Sequence, residues 1–543
     1  MLKSLVTIII LLILLNSNFL NLTISLKYYI LLWVLSTIFI GTSKFIFRDI
    51  LLSGSISKLR KNNVVMIYGA GRLGAQLASI LKLEGFIIEA FIDDDKNKWD
   101  RVLYGTKIIS VNQLEKYVRN INQIYISIPN LSKVKKRIVY NLSLKNKIKV
   151  LDIDLKDDLT SGNLKRETFK IIEIEKILGR DVVKPYKEFL GPGIKNKNIC
   201  ITGAGGSIGS EIARKCLEQN PNKLVLIDNS ETNLFHINEE ITGNLKNKSS
   251  NNISISPCLV NVIDQSFLEK IFLREQVEIV FHAAAYKHVP LVEINPLQGI
   301  KNNFLSVQSV CRASIKANVK QALFISSDKA VRPTNIMGAT KRLSEIIVKI
   351  YSLDYLDKKH NTIFSSVRFG NVIGSSGSVV PKFKKQIANG GPLTITHEEV
   401  VRYFMTIEEA SQLVLQAAFL AKGGEIFLLD MGKPLKIIDL AKQIIFLSGY
   451  TVKEKDNPNG DIEIIKIGLR PGEKLFEELL ISGESLPTAH PLIYIEKEVN
   501  QILERALLKK KLAQLESVIK QNNQEKTLDL LFELVPEWQR KNK

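Results

Sequence analysis

The chain has 543 residues, with 75 Lys and Arg against 55 Asp and Glu for a formal net charge of +20; 45% of it is hydrophobic and 24% charged. That supports two or three cored domains and excludes a disordered polymer or a small disulfide scaffold. The four cysteines, Cys200, Cys216, Cys258 and Cys311, show no CxxC pair and no metal-ligand spacing, so the pattern fits a reducing compartment and no metal is expected. The basic excess suits nucleic acid, anionic lipid or a phosphorylated small molecule. No run resembles a nucleic-acid module, and nucleic acid is not expected as a partner.

Ser4 to Leu26 carries no charge, and after Lys27 a second uncharged run extends from Tyr28 to Ser43. At about 1.5 Å per residue the first run is long enough for a hydrocarbon core of about 30 Å. The second is shorter, and Phe45, Ile46 and Phe47 extend it. Residues 1–48 are therefore expected to form a transmembrane anchor, a helical hairpin in outline, with one or two spans left open. Lys44, Arg48, Lys58, Arg60 and Lys61 follow closely, which places the remainder on the cytoplasmic side.

Val64 to Tyr68 reads as a buried strand, followed by Gly69-Ala70-Gly71-Arg72-Leu73-Gly74 and a helical pattern through Leu83. A further strand, Ile87 to Ile92, ends at Asp93, where the ribose-binding acid of a dinucleotide fold would stand. Ile124 to Ile128 and Lys149 to Ile153 complete a Rossmann-like domain over 62–155, whose glycines serve tight strand-to-helix packing whether or not a nucleotide binds. Residues 156–197 read as a linker.

From Asn198 the pattern repeats more strongly. Thr202-Gly203-Ala204-Gly205-Gly206-Ser207-Ile208-Gly209 connects a strand to a helix, and the next strand, Leu224 to Ile227, ends at Asp228. Glycine permits the tight turn and the approach of a pyrophosphate to helix-end amides, while Asp228 can accept from a ribose diol and repels a 2′-phosphate. NAD is thus expected rather than NADP. Strands at Pro257 to Val260, Glu278 to His282 and Ala322 to Ser326 alternate with helices at Phe267 to Arg274 and Pro296 to Lys316, which implies a mainly parallel, doubly wound sheet.

Four further motifs follow in order: His282-Ala283-Ala284-Ala285-Tyr286-Lys287-His288-Val289-Pro290, Ser326-Ser327-Asp328-Lys329-Ala330-Val331, Arg368-Phe369-Gly370-Asn371-Val372 and Gly468-Leu469-Arg470-Pro471-Gly472-Glu473-Lys474-Leu475. With the glycine fingerprint they resemble the extended short-chain dehydrogenase/reductases, and within them the membrane-anchored nucleotide-sugar 4,6-dehydratases of bacterial surface polysaccharide synthesis, which act on UDP-N-acetylglucosamine. The resemblance implies an α/β fold: N-terminal membrane helices, then two Rossmann-like doubly wound parallel-sheet domains, the second with a smaller substrate-binding subdomain. It implies a catalytic domain over 198–490 and leaves 491–543 as a C-terminal helical extension, with a Lys-rich amphipathic helix over 500–520.

The implied chemistry is a closed redox cycle. Hydride leaves the sugar at C4, the resulting ketone acidifies the C5 hydrogen, water departs across C5 and C6, and hydride returns to C6. By similarity Asp328 protonates the departing 6-hydroxyl and Lys329 takes the C5 proton; both must be neutral to do so, although each stabilises the other's charge. Where the wider superfamily has Tyr-x-x-x-Lys, this chain has Met337 to Lys341. Lys341 can bind the nicotinamide ribose, whereas the Met337 thioether cannot serve as a base, and Ser327 is the candidate relay for the C4 hydroxyl proton.

The same resemblance assigns the cofactor to Gly203, Gly206, Ser207, Ile208, Gly209, Asp228, Asn261, Val262, Ala283, Ala285 and Lys341. It assigns the UDP-N-acetylhexosamine to Lys287, Asn371, Thr394, Thr396, Arg402, Arg470 and Glu473, the two arginines being chosen for the diphosphate because a guanidinium matches phosphate oxygens. His282 reads as a satisfied strand-end residue. Two other functions stay open, a nucleotide-sugar 4-epimerase and a catalytically silent NAD-binding membrane scaffold, as does a homo-oligomeric state.

Overall fold

The computed structural model describes residues 64–117, 121–128, 131, 133–146, 148–153, 169–171, 186–246, 253–448, 450–480, 484–497 and 505–540. The expected membrane anchor over 1–48 lies outside these residues; among the described ones no helix is long and apolar enough to cross a membrane. The chain divides into two compact units, 1–171 and 172–543.

In the first unit the central strand Val64–Tyr68 pairs in parallel with Ile87–Ile92 on one side and Gln123–Ile126 on the other. Thr106–Ile109 and Lys149–Ile153 extend the parallel sheet outward. The strand order is that of a Rossmann sheet, with the chain reversing direction of winding beside the central strand. Three strands escaped the sequence pattern, Thr106–Ile109 among them. Val102–Leu103 forms an antiparallel edge with Thr106–Ile109, and Phe169–Ile171 pairs antiparallel with Lys149–Ile153. The boundary expected at 155 is therefore corrected: the sheet recruits a strand from the segment read as a linker. A three-residue strand is too short to display an alternation of its own.

The second unit repeats the plan on a larger scale. Its sheet runs, from one edge, Ser254–Leu259, Lys223–Asp228, Asn198–Thr202, Ile279–His282, Gln321–Ile325, Ile363–Arg368 and Ile426–Leu429, all parallel. Ile493–Glu496 and Ser485–Pro487 then add two antiparallel strands. This corrects the extension expected to begin at 491, because the sheet continues through Glu496. The helix Pro296–Lys316 matches its expected bounds; Pro296 occupies its first turn, where a missing amide proton costs nothing.

Residues 505–540 fold as two helices, Arg505–Lys520 and Gln524–Leu534. Leu512, Leu515, Ile519, Leu531, Leu534 and Trp538 join the hydrophobic core formed around the helices Pro296–Lys316 and Ile336–Leu356. Each such side chain contributes about 1.5–3 kcal/mol on burial. Ion pairs bind the same faces: Arg342 to Glu537 at 3.0 Å and Arg312 to Glu516 at 2.9 Å. The extension thereby braces the helix that carries Met337 and Lys341.

Candidate active site

In the second unit, the glycine loop is shaped by close backbone approach. Gly203 adopts φ +66°, and a methyl group there would stand 2.8 Å from the Ala284 nitrogen; at Gly209 it would meet the Gly203 carbonyl oxygen at 2.0 Å. Asp228 is buried at its strand end, where Oδ2 accepts from the Gly205 amide and Oδ1 from the Ser230 amide, both at 2.9 Å. A carboxylate has about four acceptor positions, so capacity remains for a ribose diol. A cavity of about 470 Å3 lies against the loop, lined by Gly203, Gly206, Ser207, Ile208, Gly209, Ala283 and Ala285 among others. Backbone without Cβ atoms, a helix N-terminus, an anionic strand end and small side chains fit a dinucleotide such as NAD.

A second cavity, of about 410 Å3, shares Ile208, Ala283, Ala285, Lys287 and His288 with the first. Its walls bring together Ser327, Lys329, Met337, Lys341, Asn371, Thr394, Thr396, Arg402, Arg470 and Glu473. These positions are scattered over almost 150 residues of sequence, and the sheet's carboxyl edge gathers them.

Asp328, Lys329 and Ala330 form one 3-10 turn immediately after the strand Gln321–Ile325, with Ser327 as its cap. The Ser327 hydroxyl donates to Asp328 Oδ1 at 2.8 Å, and Lys329 Nζ donates to the same oxygen at 2.9 Å and to Asn371 Oδ1 at 3.1 Å. Asp328 is fully buried, and its Oδ2 has no hydrogen-bond partner. Gly370 faces it; a methyl group there would lie 3.1 Å from that oxygen. Gly338 likewise admits the turn, since a Cβ would stand 2.3 Å from the Lys329 carbonyl oxygen.

Burial pulls the Lys329 ammonium toward neutrality, but the carboxylates of Asp328 and Glu477 outweigh it and hold the pKa above the ordinary lysine value. Lys329 therefore rests charged. Lys341 behaves in the opposite sense: burial, opposed only in part by Glu345, takes it down to about 8. Its Nζ donates to the Ile325 carbonyl at 2.9 Å, and the Met337 side chain beside it is buried. His282, at the end of its strand, bonds Thr202 Oγ1 through Nδ1 at 2.7 Å, and burial brings it down to about 3. It is a neutral structural residue at physiological pH.

Several expected ligand residues are already occupied. Arg402 donates to the carbonyls of Val401, Leu475 and Lys474 at 2.8, 3.2 and 2.8 Å and to Glu473 at 3.4 Å. Few donors remain for a diphosphate, and Arg470, which is exposed, is the freer guanidinium. Thr396 donates to Glu473 at 3.0 Å, and Thr394 accepts from Lys382 at 2.7 Å. The Val262 side chain packs into the hydrophobic core, and the Asn261 carboxamide oxygen accepts from the Ile263 amide at 3.2 Å. Lys287 lines both cavities, with burial lowering its pKa.

Two side chains were missed by the sequence reading. Lys382, on the helix Val379–Ala388, carries a pKa lowered by burial and then by Arg470. Glu477 is buried, with Oε1 3.7 Å from Lys329 Nζ and 3.6 Å from Arg402 Nε. The only sequence signal for Glu477 was its place just beyond the Gly468–Leu475 motif.

The model of the polysaccharide biosynthesis protein family matches residues 199–498. The chain belongs to that family. Residues 61–128 match a second model, C2185-like, N-terminal. The capsular polysaccharide biosynthesis protein CapD of Staphylococcus aureus is 39% identical over 473 residues, covering 85% of this chain and 76% of that protein. A UDP-N-acetylglucosamine 4,6-dehydratase (inverting) of Campylobacter jejuni is 35% identical over 291 residues, 53% of this chain and 79% of its own length. A UDP-glucose 4-epimerase of Rickettsia bellii is 31% identical over 299 residues, 55% and 81% respectively.

Proposed function

We propose that this family member is an NAD-dependent UDP-N-acetylglucosamine 4,6-dehydratase of bacterial surface polysaccharide synthesis, anchored in the cell membrane through 1–48 with its catalytic part in the cytoplasm. The observation that carries the reading is the Asp328–Lys329 pair, hydrogen-bonded at 2.9 Å, with the lysine in the wall of a cavity adjoining the glycine loop. An epimerase has no elimination to catalyse and no use for such a pair. The 35% identical dehydratase supports the substrate; the uncharged runs before Lys44 and the basic residues after them support the anchor.

When bound, NAD supplies the hydride acceptor at C4 and the hydride donor at C6. The protein's own groups move the protons. Ser327, hydrogen-bonded to Asp328, receives the C4 hydroxyl proton and passes it to Asp328 Oδ1. Asp328, now neutral, protonates the departing O6. Lys329, as a free amine, takes the C5 proton and returns it once C6 is reduced. Lys341 holds the cofactor ribose, and Arg470, Lys287 and Lys382 meet the anionic end of the substrate.

Incubating the full chain with NAD and UDP-N-acetylglucosamine tests this directly by NMR. The expected product is the 4-keto-6-deoxy sugar nucleotide, with deuterium placed at C4 reappearing at C6. Formation of the 4-epimer without loss of water would assign the epimerase instead, and no turnover of either kind would leave the scaffold.

A further inference from the structure

The proton inventory of the site does not close with the residues named so far. Lys329 rests as an ammonium, yet it must be an amine when the C5 hydrogen leaves. Asp328 cannot absorb that proton, because it has just accepted the one from the C4 hydroxyl. One buried group stands within reach of Lys329 and has a use for it.

Glu477 presents Oε1 at 3.7 Å from Lys329 Nζ, and its Oε2 is buried with no hydrogen-bond partner. That oxygen has a lone pair free to hold a proton. The charged groups facing Lys329 are Asp328 from its own turn, Glu477 from the segment after Gly472, and Arg402 from the strand Val401–Arg402; Arg402 is itself shared with Glu473. Asn371 adds a neutral acceptor.

We propose that Glu477 receives the Lys329 proton during turnover and returns it at the end of the cycle, a role that rests on the dehydratase reading of the same site. The trigger is Asp328. While it is ionised, two carboxylates support the ammonium against burial. Once the C4 proton neutralises Asp328, only Glu477 supports the charge, burial prevails, and an N–H bond of Lys329 breaks as an O–H bond forms on Glu477. The free amine then takes the C5 proton, while Asp328 gives its own to O6 and water departs. Lys329 hands the C5 proton back as C6 is reduced. Asp328 is again ionised, and the Glu477 proton returns to Lys329. Every proton is accounted for, with no reagent beyond substrate and NAD. Glu477 acts through Lys329 and is a positioning residue in that sense.

Full-chain Glu477→Gln protein tests this with two readouts. Competitive acetylation across pH, read by mass spectrometry at Lys329 without substrate, is expected to show the amine titrating at lower pH than in the wild type, since one supporting charge is gone. Keto-sugar formation is expected to fall on the order of 10²-fold at neutral pH, the scale of a lost proton-transfer partner, and to recover as pH rises and solvent removes the proton. Glu477→Asp, which keeps a carboxylate, is expected to restore most of the neutral-pH rate. An unchanged Lys329 titration with a loss equal at every pH would reduce Glu477 to a structural role and overturn the proposal. A shifted Lys329 titration in Glu477→Gln beside a wild-type protein that makes no keto sugar would overturn the dehydratase reading, and the proton circuit with it, while leaving the Glu477–Lys329 coupling measured.

Discussion

The two Rossmann-like units share a strand order, a glycine loop and an acid at the end of the second strand, yet among the described residues only the second has a chemical constellation built on them. In the first unit Ala70 and Asp95 donate to Asp93 at 2.8 and 2.9 Å, just as Gly205 and Ser230 donate to Asp228. The difference lies in what surrounds this shared motif. Lys98 Nζ sits 3.1 Å from Asp93 Oδ2; burial alone would raise that carboxyl, but the amides of Asp95 and Ala70 and the Lys98 ammonium hold it below its usual range. A methyl group would collide at the first glycine of either loop, at Gly69 with Ser127 Oγ at 2.6 Å and at Gly203 with the Ala284 nitrogen at 2.8 Å, but the segment facing Gly203 also presents Ala283 and Ala285 to open cavities. A dinucleotide fingerprint specifies a strand-turn-helix backbone first. Whether it becomes a site depends on side chains delivered from other strands.

Paired substitutions sharpen or break this contrast. The largest effect is expected at Asp328→Asn: keto-sugar formation should fall about 10²- to 10⁴-fold with NAD still bound, the range for a lost general acid, while Asp93→Asn should leave the rate unchanged. Comparable loss in both would show the first unit to be part of the chemistry.

Next comes the brace on the second unit. Leu531 is fully buried, and Leu531→Ala should destabilise that unit by about 2–5 kcal/mol, seen as an earlier thermal transition for it alone. An unchanged melt would mean that the terminal helices are dispensable.

Asp228→Asn should weaken NAD binding by about 10- to 100-fold, the value of hydrogen bonds to a charged group, measured by calorimetry. Unaltered affinity would make Asp228 a loop fastener like Asp93 and erase the distinction between the units.

The smallest effect concerns Lys341. Because its folded-state pKa is lowered to about 8, its charge is lost as pH rises through that value. NAD affinity should therefore decline on the order of 3- to 10-fold above it, as a charged donor becomes a neutral one. Lys341→Met should bind more weakly throughout and show no such decline.

The sequence by itself determined the elements that depend on near neighbours. Apolar runs bounded by glycine loops marked most of the parallel strands of both units, though not Thr106–Ile109, Ile363–Arg368 or Ile426–Leu429, and the helix Pro296–Lys316 was legible to the residue because proline and apolar periodicity act within a few turns. The motif residues also declared themselves, since Asp328, Lys329, Met337 and Lys341 lie within 14 positions of one another in the chain. Only the tertiary structure decided what distant segments do to one another. Phe169–Ile171 and Ile493–Glu496 become strands by pairing with sheet edges that other segments supply, the second of them across an intervening helix. Arg402 is taken up by carbonyls more than 70 residues later, and Glu477 meets Lys329 across almost 150. Local sequence carries backbone preference and periodicity, which are short-range properties. Charge compensation in a buried site is a sum over neighbours in space, and those neighbours exist only once the sheet has brought its carboxyl ends to one edge.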